Sequence, residues 1–134
     1  MKKVLPLSIA TNGLIILFSL SIVFHLLVIT NIIPSDIVWG GNISDNNQMV
    51  VMESISIALN LLMLVVVCTY TGIIRIAINP GVLRIIFWVM FSLFLLNTIG
   101  NLMATNSLET YIFTPLTFIL ALFCFRIAAY GFKK

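Results

Sequence analysis

The stretch Met49–Thr71, MVVMESISIALNLLMLVVVCTYT, holds one formal charge, Glu53, in a run long enough to cross a bilayer as a helix. About 30 Å of hydrocarbon takes about 20 helical residues. Three other segments meet the same standard: Pro6–Asn31, Val82–Met103 and Tyr111–Phe132. Turn and capping chemistry separates them. Pro34, Gly40 and Gly41 follow the first span, and Ser44 or Asp45 is placed to cap the second. Asn79-Pro80-Gly81 gives a tight-turn signal before the third, and Asn106 with Ser107 precedes the fourth. Pro115 falls in the first turn of the fourth span or kinks it near its outer end. Short connections favour antiparallel neighbours. The expected fold is therefore all-α: an up-down antiparallel bundle of four transmembrane helices, residues 1–134 forming a single integral membrane domain.

Composition agrees. Of 134 residues, 61% are apolar and 8% charged, with a mean hydropathy of +1.20. Soluble domains carry about 25% charged residues. The +3 net charge is scattered rather than gathered into a basic patch, so nucleic acid is not an expected partner. Lys2, Lys3, Arg75, Arg84, Arg126, Lys133 and Lys134 fall toward one side of a four-span arrangement. Asp36, Asp45, Glu53 and Glu109 fall toward the other. The positive-inside rule then places both termini in the cytoplasm. The apolar stretch after Met1-Lys2-Lys3 is longer than a signal-peptide core and ends without an Ala-x-Ala site, so it reads as an uncleaved span. Cys68 and Cys124 lie toward the reducing side and are expected as free thiols. One histidine and two widely separated cysteines offer no metal-ligand spacing, and neither a metal nor a cofactor is expected.

Ionisable groups inside a span cost about 2.5–3.5 kcal/mol near its centre, which directs attention to His25, Glu53 and Arg126. Glu53 and Asn60 share a helix face with Ser56 beside them. His25 stacks above Ser21 and Thr11, Asn97 and Asn101 are an i, i+4 pair around Gly100, and Thr114 and Thr117 add hydroxyls on the fourth span. If these faces converge, His25, Glu53, Asn60, Asn97 and Asn101 line a polar pocket open to the outside, with Trp39, Gly40 and Gly41 as its lid. If they do not, the same groups are interhelical contacts, and the loop tryptophan is an interfacial anchor. Arg126 lies on the face opposite Thr117, about 9 Å from the cytoplasmic helix end, within reach of lipid phosphate by snorkelling. Gly100 with Ala104, and Ala128 with Gly131, are small residues suited to close helix approach. Asn42-Ile-Ser44 is a glycosylation sequon that matters only in a secretory pathway.

Trp39-Gly40-Gly41 after Ile33-Pro34-x-Asp36, Glu53 early in the second helix, and Asn97-Thr-Ile-Gly-Asn101 resemble a group of small, uncharacterised bacterial four-span membrane proteins. The resemblance covers most of the chain. It implies a bacterial plasma-membrane location and the same topology, and brings no activity with it. An enzyme needs a nucleophile with its base, paired acids or a metal set. His25 and Glu53 are the one acid–base pair and lack a third member, so enzymatic activity is not expected. The expectation is a structural or accessory membrane protein. The alternative is a small-ligand or lipid-binding module, or an oligomeric transporter built from several copies, using the outer-leaflet pocket. Expected partners are the bilayer, with a second copy of the chain or a lipid or small-molecule ligand as further candidates.

Overall fold

The computed structural model describes residues 5–38 and 44–132, and every regular element among them is helical. Helix α1 spans Leu7–Ile29, α2 Asn46–Tyr70, α3 Pro80–Leu102 and α4 Thr114–Tyr130, the last preceded by a π-helical turn at Glu109–Phe113. All four, counting the π turn with α4, are long and apolar enough to cross a membrane.

The ends of these helices have local causes. Asn31, at φ 59°, takes the left-handed conformation that stops α1, and the amides of Ile32 and Ile33 close onto the Leu27 carbonyl. Pro34 lies in the break after α1, as expected, and leads into a one-turn 3₁₀ helix at Ser35–Ile37. Asp45 is the cap of α2, accepting from the Gln48 amide at 2.7 Å, so the helix starts three residues before the expected Met49. Asn79-Pro80-Gly81 makes no tight turn. Asn79 caps α3 by accepting from the Gly81 amide, Pro80 occupies the first turn, and the reversal falls earlier, at Gly72 with φ 80°. Pro fits there because its missing N–H belongs to a turn that has no intrahelical acceptor. Pro115 stands in the first turn of α4, directly after the π turn. A proline cannot donate to the carbonyl four residues back and crowds it, and the wider π register relieves that crowding.

The helices alternate in direction. His25 near the end of α1 meets Glu53 near the start of α2, and Thr98 near the end of α3 meets Thr117 near the start of α4. At the other end the start of α1 meets the end of α4, through Leu5 and Arg126. The terminal end of the bundle thus carries both ends of the described chain and the α2–α3 connection, and the distal end carries the other two connections. Helix α1 packs on α2 and α4, and α3 packs on α4, whereas α2 and α3 touch little. That seam closes at the terminal end, where Tyr70 lies edge-on to Phe87 at 5.3 Å and is also tilted against Phe132 at 5.1 Å.

The core runs through Ala10, Leu14 and Phe18 of α1, Val67 of α2, Phe87 of α3 and Ile127 of α4, all fully buried. Lipid supplies no hydrophobic drive between apolar helices, so dispersion contacts and close approach must hold them. Gly13 provides the closest approach, because a Cβ there would strike the Phe123 ring of α4. Gly131 and the buried Ala128 make the close contacts expected of them, with the Tyr70 hydroxyl against Gly131. Gly100 does not: it is exposed, and a Cβ there would meet open space. Outside, Ile9, Ile16, Leu20 and Val23 form an apolar face along α1 suited to acyl chains. Cys68 and Cys124 are both free.

Candidate functional site

Glu53 is the one acid inside α2, and it turns fully inward at 0% exposure. One helical turn from the end of α1, His25 reaches across so that its Nδ1 stands 2.6 Å from Glu53 Oε2. The His25 side chain keeps 17% exposure, so the pair has one enclosed member and one partly open member. Phe24 lies edge-on to the His25 ring and to Phe113 of the π turn, at 5.5 and 5.4 Å, which brings the start of α4 alongside the pair.

The other polar groups of α2 do not extend this site. Ser56 is buried, but its hydroxyl donates to the Met52 carbonyl, and Asn60 spends its Nδ2 on the Ser56 carbonyl at 2.8 Å. Thr11, the far end of the His25 stripe, likewise bonds its own helix at Leu7 and Ser8.

A second polar centre joins α3 to α4. Thr98 Oγ1 lies 2.9 Å from Thr117 Oγ1, and Asn101 Nδ2 lies 3.3 Å from the same oxygen. Thr117 donates to the Phe113 carbonyl at 2.8 Å and accepts from the other two, so its hydrogen-bonding capacity is filled. Thr110, in the π turn, donates to the Asn101 carbonyl. Thr98, Asn101 and Thr117 therefore bond one another and nearby backbone, while His25 and Glu53 form a separate centre.

Asn97 is exposed and belongs to neither. It lies seven residues from Met90, hence within about 20° of it around the helix, yet Met90 is buried. The same face is therefore covered at one depth and open at the next. Of the five residues expected to line one pocket, His25 pairs with Glu53, Asn101 joins the threonines, Asn60 folds back on its own helix, and Asn97 faces outward. Trp39, Gly40 and Gly41 lie outside the described residues. A shallow hollow of about 240 Å³, lined by Asn31, Ser35, Ser44, Asp45, Asn46 and Met49, opens above the start of α2.

Two charged residues stand where sequence reasoning did not put them. Glu109, read as an outer-loop acid, is buried at 5% exposure in the π turn, a position that depends on a register change no periodicity announces. Arg126, expected to extend outward, is instead enclosed by the bundle in this fold. It is 5% exposed, and its Nε donates to the Leu5 carbonyl at 2.8 Å. The enclosure follows from α4 packing between α1 and α3, which covers a wider arc than the single face an amphipathic reading assumes.

Among the described residues no group of three His, Cys, Asp or Glu side chains is placed to hold a metal ion. The fold and its polar centres define a four-helix protein suited to a membrane. Compared with protein families, curated proteins and solved structures, the chain finds no match.

Proposed function

We propose that the protein is a structural or accessory component of a bacterial plasma membrane, with both termini in the cytoplasm, and that its buried polar side chains serve to lock its own helices. The observation that carries this reading is the pairing of polar groups within two helix pairs: His25 with Glu53 between α1 and α2, and Thr98 and Asn101 with Thr117 between α3 and α4. Groups already satisfied by each other offer little to a ligand. The segregation of basic from acidic residues supports the orientation, and the resemblance to bacterial four-span proteins supports the compartment. A cytoplasmic reporter fused after Lys134 and an external reporter fused near Asn42 should both be active, and the opposite result at either point reverses the orientation.

A second reading, proton or small-ligand handling by an oligomer, has one observation in its favour. A fully enclosed carboxylate meets an imidazole that is partly open, the arrangement a proton-accepting site requires. Reconstituted vesicles separate the two readings. Under the structural reading, proton entry driven by a pH step matches that of protein-free vesicles. A saturable flux lost in Glu53→Gln would put the transport reading in its place.

A further inference from the structure

Arg126 is a full positive charge enclosed in protein, and the hydrogen bonds around it leave that charge unmatched. Its Nε is satisfied by the Leu5 carbonyl, and its Cζ lies 5.3 Å from the centre of the Tyr130 ring. Its Nη1 is buried and bonds nothing among the described residues. A carbonyl and an aromatic face hold a guanidinium in place, but neither carries a compensating charge.

The chain has few ways to supply one. Its only acidic residues are Asp36, Asp45, Glu53 and Glu109. Asp36, Asp45 and Glu53 belong to the distal α1–α2 connection or the start of α2, and Glu109 opens the turn before α4. Arg126 is near the other end of α4, about 25 Å further along the helix axis. No side-chain carboxylate of the fold comes near it. Arg126 also lies one helical turn before the last residue of α4, beside the residue that precedes α1 by two. At that depth a bilayer places the phosphates of its headgroups within reach of a long side chain.

The geometry points to a phosphate site at the terminal end of the α1–α4 seam, in which Arg126 keeps its Nε bond to Leu5 and turns the buried, unpartnered Nη1 side of its guanidinium toward a phosphate oxyanion. The fork of a guanidinium matches a phosphate in a two-point contact that an ammonium cannot reproduce. A phospholipid headgroup and a free phosphate share this chemistry and are told apart by experiment.

The test uses the full chain in nanodiscs of phosphatidylglycerol, or of an uncharged galactolipid that lacks phosphate, with wild type, Arg126→Lys and Arg126→Gln compared by thermal unfolding. The wild type should unfold several degrees higher in phosphatidylglycerol than in galactolipid. Arg126→Lys, which keeps the charge but not the planar fork, should lose at least half of that difference, and Arg126→Gln nearly all of it. Adding millimolar inorganic phosphate to the galactolipid discs assigns the source. Recovery of the wild-type difference there identifies a free phosphate site, and no recovery identifies the lipid headgroup. Should Arg126→Gln fail to fold, the comparison of wild type with Arg126→Lys still decides. Equal lipid dependence in those two proteins overturns the proposal, as does a wild type indifferent to both phosphate sources.

Discussion

At the distal end of the bundle, side chains meet side chains in His25 with Glu53 and in Thr98 and Asn101 with Thr117, beside backbone contacts such as Thr110 to the Asn101 carbonyl. At the terminal end, side chains meet backbone. Tyr70 donates to the Gly131 carbonyl at 3.0 Å, Arg84 Nε to the Ala128 carbonyl at 3.0 Å, and Arg126 Nε to the Leu5 carbonyl. The last carbonyls of a helix have no intrahelical donor. Tyr70 and Arg84 answer that need at the end of α4, and the arginine also places a positive charge where the helix dipole favours one. The two ends therefore differ in how they fail. A side-chain pair that loses one member strands the other inside the bundle, whereas a carbonyl near the boundary can turn to water. Removing polar groups should cost most at the distal pair and least where a side chain already faces out.

Glu53 gives the largest expected effect. Glu53→Leu leaves the His25 imidazole without its acceptor and should lower unfolding stability in micelles by about 2–3 kcal/mol. Glu53→Gln keeps the shape and one oxygen, and should cost less than about 1 kcal/mol. In the His25→Phe background, Glu53→Leu should cost markedly less, because the imidazole that accounts for the coupled part of the loss is already gone. Equal costs in both backgrounds would show that the pair is not coupled.

Tyr70→Phe sharpens the contrast from the other end. The ring contacts with Phe87 and Phe132 survive, and the change removes one donor from a carbonyl at the helix end. A loss of about 1 kcal/mol is expected by the same unfolding measurement. A loss as large as that of Glu53→Leu would mean that backbone acceptors at this end are as sealed as the distal pair. Thr117→Val comes next. It deletes the oxygen shared by Thr98 and Asn101, but both partners have backbone nearby, and interhelical hydrogen bonds in membranes average about 0.6 kcal/mol. A loss near that value is expected. One above about 2 kcal/mol would make the α3–α4 centre the principal lock instead.

The four spans and their antiparallel order could be read from the sequence, since hydropathy and turn residues are local properties, and helical phase made His25 one of several candidate partners for Glu53 without deciding among them. Asp45 was legible as a cap for the same reason. Asn79-Pro80-Gly81 is ambiguous in sequence because the residues that make a turn also start a helix, and the structure uses them for the helix start. Gly100 and Gly13 look alike in sequence, and which one receives a neighbour is decided by how α1 crosses α4. Arg126 announced itself as an intramembrane charge. Its enclosure was hidden because it depends on two neighbours covering α4, a property of the assembled bundle.

Asn97→Leu is the smallest expected effect and bears most directly on the single-pocket idea. Asn97 and Asn101 are one turn apart on α3, and by phase alone either could face the interior. The structure divides them: Asn101 reaches Thr117, while Asn97 is exposed. An amide facing acyl chains contributes no packing and carries a desolvation cost that leucine lacks. Asn97→Leu should therefore leave unfolding stability within about 0.5 kcal/mol of wild type or raise it slightly. Asn101→Leu should lower it, because Thr117 loses a donor and α4 a contact. Were Asn97→Leu to cost more than about 1 kcal/mol while Asn101→Leu did not, the α2–α3 seam would have to close in the bilayer, bringing Asn97 toward Asn60 and Glu53. The two polar centres would then be parts of one site, and the structural reading of the protein would give way to a ligand-binding one.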